Sequence, residues 1–242
     1  MLRNSVLVSG KLGDLIHSMY IPHFLFRSFG VRSVIYITDE IEPFGREMTK
    51  TMGDIVPLLT QQPFFYDMKK WNGEPIQFNT CLFRKSPLLY RDGWTNIMHN
   101  LYFSGSKPIL GPWMEVLNSS EDSGLVISRV YKEPLVMSDQ LIEWYAQKIK
   151  EYGGAIFVGT EYDFQKFPLN QSCYFIPNYD LELASRIISA AKLFIGNQSS
   201  PLALAWSLGV NRVVELLPEP HPDFIHYEAE KQYYNFESIR PK

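Results

Sequence analysis

The opening of the chain constrains its architecture more than any other stretch. A β-branched run, Ser5–Ser9, passes through Gly10-Lys11-Leu12-Gly13 into a segment whose apolar residues return at helical spacing. From Asp14 to about Phe29, residues Leu15, Ile16, Met19, Tyr20, Phe24, Phe26 and Phe29 recur every three or four positions, despite Pro22. Gly30 stops that helix, and residues 31–38 read as a second strand. Strand, tight glycine turn, helix, strand is a βαβ unit, and its two strands should be parallel.

The same alternation returns in the second half. Leu125–Val130 reads as a strand and Ser138–Tyr152 as a helix capped at Ser138. After Gly153-Gly154 come strand Ala155–Gly159 and a short strand at Phe175–Pro177. Asp180–Ala191 is a helix, Leu193–Gly196 a strand, Pro201–Leu208 a helix stopped by Gly209, and Arg212–Leu217 a strand. These strands are continuous apolar runs, as expected where helices cover both faces of a sheet. Between the two halves the pattern weakens. Helices are predicted over Phe44–Leu59 and Trp94–Phe103, with a short strand near Ile76–Phe78. The rest of 60–118 reads as loops, the usual carriers of function.

Asn118–Gly124 is a run of seven polar or small residues between two apolar segments, and reads as a linker. The fold class predicted is therefore α/β, as two Rossmann-like domains, 1–119 and 120–242, facing a cleft. A last helix over His226–Phe236 is expected to pack back on the first domain.

Composition narrows the function. A chain of 242 residues with 45% hydrophobic and 20% charged residues has the make-up of a globular protein and not of a disordered one. Its 23 basic and 26 acidic residues leave a net charge of −3, which argues against a nucleic-acid binder. Cys81 and Cys173 lack C-x-x-C spacing, so neither a disulfide framework nor a zinc knuckle is expected. The five histidines form no metal-ligand pair, and no metal site is expected. No apolar run reaches the ~20 residues of a membrane span, and the first twenty residues lack the apolar core of a secretory leader. A cytoplasmic protein is predicted, with at most peripheral contact at the inner face of the membrane.

Ligands of open α/β sheets sit beyond the carboxyl ends of the strands, which directs attention to two loops. The first, Gly10-Lys11-Leu12-Gly13-Asp14, lacks the glycine spacing of a dinucleotide loop and the Gly-Lys-Ser/Thr of a P-loop. It brings a carboxylate to a helix start, either as a cap worth about 1 kcal/mol or as a reactive group. The second, Gly196-Asn197-Gln198-Ser199-Ser200-Pro201, runs from a strand into a helix with proline in its first turn. Such a turn either directs N–H groups at an anion or simply starts a helix.

Together the two loops resemble glycosyltransferase family 9, the ADP-heptose:lipopolysaccharide heptosyltransferases. The stretch SGKLGDLIHSMYIPHFLF is similar to that family's opening strand, its loop ending in Gly-Asp, and its first helix. The stretch AAKLFIGNQSSPLALAWSLGV is similar to its donor-binding segment. Gly13-Asp14 and Gly196-Asn197 carry the match, with Ser199, Pro201, Leu204 and Ala205. The chain departs from the pattern at Gln198, Ser200 and Ala203, where the family has aspartate, glycine and histidine. It is also shorter than the family's members, chiefly in the first domain.

The resemblance implies a GT-B architecture and an inverting, metal-independent transfer of a sugar from a nucleotide-sugar donor. The acceptor would be a hydroxyl on a glycan or lipopolysaccharide-type molecule. It assigns Asp14 as general base, Lys11, Gly13 and His17 to the acceptor-side loop, and Asn197, Gln198, Ser199, Ser200, Arg129 and Lys132 to the donor phosphates. Glu161 and Asp163 are candidates for the base or ribose, and Glu215, ending the final strand, is a further candidate. No cofactor is implied, since the nucleotide sugar is a substrate. The altered donor loop keeps two alternatives open: a non-catalytic nucleotide- or sugar-binding relative, and a nucleotide-sugar epimerase.

Overall fold

In the computed structural model of the chain, Asn4–Val8 (β1) and Ser33–Ile37 (β2) pair in parallel along their whole length, Val6 opposite Ile35 and Leu7 opposite Tyr36. The structure describes residues 3–85, 89–117, 122–131, 137–178, 180–216 and 237–239, apart from the side chains of 82 and 84–93. They fall into two compact units, one drawn from Met1–Glu115 and the other beginning at Val116. The predicted linker residues 118–121 and the predicted helix His226–Phe236 lie outside the described residues.

The first unit is built on a four-stranded parallel sheet. Phe65–Lys70 (β3) and Phe78–Asn79 (β4) complete it in the order β3-β2-β1-β4. β1 is central, and Val6, Leu7 and Val8 are buried. The long helix expected after the glycine turn is two helices, Leu12–Ser18 (α1) and Tyr20–Phe29 (α2), parted at Met19. Pro22 explains the break. It has no N–H for the carbonyl of Ser18 four residues earlier, and its ring crowds that carbonyl. Met48–Leu59 (α3) begins four residues later than expected, because Phe44 packs into the core from the preceding loop. Leu89–Phe103 (α4) follows a 3₁₀ turn at Thr80–Lys85. β3 was not legible in the sequence. It is an edge strand whose Asp67, Lys69 and Lys70 break any apolar run, a composition that protects an open sheet edge.

The second unit carries a six-stranded, wholly parallel sheet. Its strands are Gly124–Ser128 (β5), Ala155–Gly159 (β6), Cys173–Pro177 (β7), Ala191–Gly196 (β8), Arg212–Glu215 (β9) and Glu237–Ile239 (β10). The order β10-β9-β8-β5-β6-β7 puts β8 and β5 at the centre. Helices Asp139–Tyr152 (α5), Glu161–Lys166 (α6), Leu181–Ser189 (α7) and Ser200–Ser207 (α8) alternate with the strands. α6 and β10 are too short to have shown a period in the sequence. α8 is apolar on all sides, and Pro201 through Ser207 are buried throughout. Among the described residues, no helix is long and apolar enough to cross a membrane.

Candidate functional site

In the first unit the residues of interest gather at the carboxyl end of β1. Gly10 turns the chain with φ +92°, a region side chains avoid, and donates its N–H to the Glu42 carbonyl at 3.0 Å. Lys11, exposed, is the N-cap of α1, and Gly13 lies in its first turn. Asp14, at the third helical position, is 3% exposed, and its Oδ2 accepts the Lys11 N–H at 3.0 Å. That bond is half of a capping box, so the helix start holds the carboxylate in place. The space beside Gly10 is shared: a Cβ there would lie 2.9 Å from Asp14 Oδ2 and 3.3 Å from Glu42 Oε2.

His17 is one turn further along α1, but only 1% exposed. Its ring lies 4.3 Å from the Trp94 ring and 6.4 Å from that of Trp113, centre to centre. It is thus part of an aromatic core cluster, to which Trp113 is tied by a 3.3 Å bond from Nε1 to the Ile16 carbonyl. Sequence reasoning missed Glu42, although a usable signal existed. Parallel β1 and β2 must deliver the loops that follow them to the same sheet edge.

In the second unit, the loops after β5, β6 and β8 lock together at the carboxyl edge. Asn197 Oδ1 accepts the Val130 N–H, and Asn197 Nδ2 donates to the Val130 carbonyl, both at 2.9 Å. Asp163 Oδ1 accepts the Tyr131 N–H at 2.9 Å, while its Oδ2 accepts the Thr160 hydroxyl at 2.6 Å. Thr160 in turn caps α6. β5 therefore ends at Ser128, short of the expected Val130, because the next backbone groups bond to side chains and not to neighbouring strands. Gly196 permits the crossing, since a Cβ there would meet the Ser128 carbonyl oxygen at 2.6 Å.

Ser199 is the N-cap of α8. Its hydroxyl accepts the Leu202 N–H at 3.4 Å and donates to the Asn197 carbonyl at 3.1 Å. Gln198 and Ser200 flank it, half-buried, and Pro201 occupies the first turn. α8 begins just after the carboxyl end of β8, in the turn that carries Asn197.

Arg129 was expected on the donor phosphates, yet the structure turns it inward. It is 1% exposed, and its Nε and Nη2 bond to both carboxylate oxygens of Glu215 at 2.8–3.1 Å. The Tyr145 hydroxyl donates to Glu215 Oε2 at 3.0 Å, and the Tyr131 ring lies 4.5 Å from the guanidinium. Burial opposes the charge on Arg129, but the hydrogen bonds and charge of Glu215 outweigh it and hold its pKa above the ordinary arginine value. Burial, then the Glu215 charge, pushes the Tyr145 hydroxyl well up. The pair thus ties β5 to β9, and Glu215 serves it too. Of the other candidates, Glu161 is exposed on α6 and accepts from Gln165 at 3.2 Å. Asp163 is spent on the Tyr131 loop, and Lys132 lies outside the described residues.

By sequence the chain matches no family model and no curated protein. By structure it is similar to a glycosyltransferase family 9 protein from Veillonella parvula, at TM-score 0.65 and 12% identity, over 98% of this chain and 85% of that one. The ADP-heptose LPS heptosyltransferase II of E. coli matches at TM-score 0.63 and 14% identity, over 99% and 90% of the two chains. The fold is that of the family 9 glycosyltransferases. Each of the two units is a Rossmann-like α/β domain on a parallel sheet.

The heptosyltransferase TibC of E. coli matches at TM-score 0.56 and 14% identity, over 88% of this chain and 58% of that one. It is described as dodecameric and iron-containing, in complex with ADP-D-β-D-heptose. Among the described residues of this chain, no group of three or more His, Cys, Asp or Glu side chains comes together to hold a metal ion.

Proposed function

We propose that this chain is a glycosyltransferase that moves a sugar from a nucleotide-sugar donor to an acceptor hydroxyl, with inversion, without a metal ion, and with Asp14 as the base. The observation that carries the reading is the setting of Asp14: a buried carboxylate fixed at a helix start and packed against the Gly10 turn, in a family 9 fold. In the reaction the acceptor oxygen bonds to the anomeric carbon on the face opposite the diphosphate, and the bond from that carbon to the phosphate oxygen breaks. Asp14 takes the acceptor proton, and the nucleoside diphosphate leaves.

Charge develops on that diphosphate as it departs and must be met by fixed donors. With Arg129 committed to Glu215 and the Asn197 N–H donated to the Ser128 carbonyl, the donors this reading uses are the backbone N–H groups of 198–200 and the positive end of α8. The Asn197 clasp and the Ser199 cap hold that backbone in one shape. Lys132 remains the cationic candidate.

The relatives named for ADP-heptose make an adenosine diphosphate sugar the first donor to test. Titration with ADP, GDP, UDP, dTDP and CMP followed by calorimetry should show ADP binding above the rest. Asp14→Asn should then lower turnover about 10²- to 10⁴-fold and leave nucleotide affinity within a few fold. An unchanged rate sinks the base assignment, and conversion of a sugar nucleotide without any acceptor identifies an epimerase instead.

A further inference from the structure

We propose that Asp163 is a positioning residue of the donor site: it touches no ligand and sets the shape of the turn that follows β8. The inference rests on the glycosyltransferase reading and gives that site a determinant on a third loop, the one after β6.

Strand order locates the crevice. β5, β6 and β7 run outward to one side and β8, β9 and β10 to the other, so the order reverses between β5 and β8. Ligands of open parallel sheets bind where such a reversal parts the flanking loops. Two contacts span that place. The Asn197 amide holds Val130 by its N–H and its carbonyl, and the Asn197 N–H reaches the Ser128 carbonyl at 3.3 Å.

What keeps Val130 within reach of Asn197 comes from the loop after β6. Asp163 Oδ1 accepts the N–H of Tyr131, the next residue, at 2.9 Å. Its Oδ2 accepts the Thr160 hydroxyl at 2.6 Å, and the Thr160 oxygen accepts the Asp163 N–H at 3.1 Å. The carboxylate is thus gripped on both oxygens, and charge-assisted bonds hold the loop after β5. From there the brace continues through Val130 to Asn197 and on to Ser199, whose hydroxyl donates to the Asn197 carbonyl at 3.1 Å and caps α8.

Burial separates this from an ordinary helix start. Asp163 is 5% exposed, and among the described residues no cation pairs with it. A buried carboxylate without a countercharge costs free energy. Capping the six-residue α6 does not require one, because the Thr160 oxygen already takes the Asp163 N–H. What the carboxylate adds is the bond across to the loop after β5. A turn held in its binding shape gives up less conformational freedom when a diphosphate arrives.

The test uses the full chain and the nucleotide that binds best among ADP, GDP, UDP, dTDP and CMP. Asp163→Ala should weaken that nucleotide about tenfold, the loss of one hydrogen bond to a charged group. Donor KM should rise with it, and kcat should stay within about twofold. Asp163→Asn keeps an oxygen for the Tyr131 N–H and can donate to the Thr160 oxygen, so it should restore most of the affinity. Amide hydrogen exchange supplies the readout that a merely structural role would not move. In Asp163→Ala the amides of 198–200 should exchange at least about tenfold faster while the pairing of β5 with β8 stays protected. Should Asp163→Ala not fold, the same measurements on Thr160→Val, which leaves Asp163 Oδ1 in place, decide the matter.

Wild-type affinity and wild-type exchange at 198–200, with only a lower melting temperature, would make Asp163 a structural residue and overturn the proposal. Equal weakening by Asp163→Asn and Asp163→Ala with unchanged exchange at 198–200 would make it a direct ligand contact, and overturn it too. If no nucleotide binds the wild type, the glycosyltransferase reading fails, and the exchange at 198–200 still shows whether Asp163 shapes the turn.

Discussion

Asn197 holds the backbone of Val130 with both ends of its amide, accepting the N–H and donating to the carbonyl, each at 2.9 Å. The two residues are 67 apart in the chain, and their bonds join the loop that follows β8 to the loop that follows β5. The same geometry explains why Arg129, next to Val130, is directed into the interior and not toward a ligand.

Asn197→Asp keeps the shape of that side chain but replaces the donor with an oxygen facing the Val130 carbonyl. It should destabilise the fold by about 2–3 kcal/mol, the penalty for an unmatched buried acceptor with added repulsion. The urea midpoint should fall at least as far as for Asn197→Ala. A near-isosteric Asp that melts like the wild type would show that the clasp contributes nothing.

Glu215→Gln removes the carboxylate that faces the buried Arg129 guanidinium. Breaking a buried pair on one side costs about 3–5 kcal/mol, so this variant should be among the least stable of any single change in the second unit. The double variant Arg129→Met with Glu215→Leu should recover most of the loss in urea denaturation. Equal destabilisation by the single and double changes would mean that packing and not charge is at stake.

Gly196→Ala would press a methyl group onto the Ser128 carbonyl oxygen at 2.6 Å and onto the Phe194 ring at 2.8 Å. Neither can yield without parting the two central strands, so a loss of about 1–3 kcal/mol is expected. Nucleotide affinity should fall too, because β8 leads directly into the Asn197–Ser200 turn. Retained affinity in calorimetry would separate that turn from donor binding.

Acid should weaken the first unit through its histidines. Burial, and then the charge of Arg27, lowers the His23 pKa to about 4. Burial also lowers that of His99, against the opposing bond to Ser106. The unfolded chain, with histidines near 6.5, binds more protons between those values. Stability is therefore complete above about pH 6.5 and falls as pH drops toward 4. His23 alone contributes up to about 3 kcal/mol, at 1.36 kcal/mol per unit. His23→Leu should flatten the pH dependence of the melting temperature over that range. An unaltered slope would place the titrating groups elsewhere.

Much of the strand-and-helix alternation was legible in advance because parallel strands buried on both faces are uninterrupted apolar runs. β1, β2, β5, β6 and β8 all announced themselves in that way. β3 did not, because an edge strand carrying Asp67, Lys69 and Lys70 has little apolar surface to bury. The single helix read across Asp14–Phe29 kept its periodicity through Met19, since apolar spacing does not register the carbonyl that Pro22 strands at Ser18.

The candidate site divides along the same line. Asp14 and the Gly196–Pro201 turn were visible as local patterns, because a helix start is built from neighbours in sequence. The environment of Asp14 was not, since Glu42 reaches Gly10 only through the parallel pairing of β1 with β2. Arg129 looked like a phosphate ligand from its place after a strand, and only the tertiary structure, by putting Glu215 and Tyr145 around it, made it a buried strut. Short-range features follow from the covalent chain and its hydrophobic period. The partner of a charged side chain is decided by which distant strands lie side by side, and by the cost of leaving that charge buried alone.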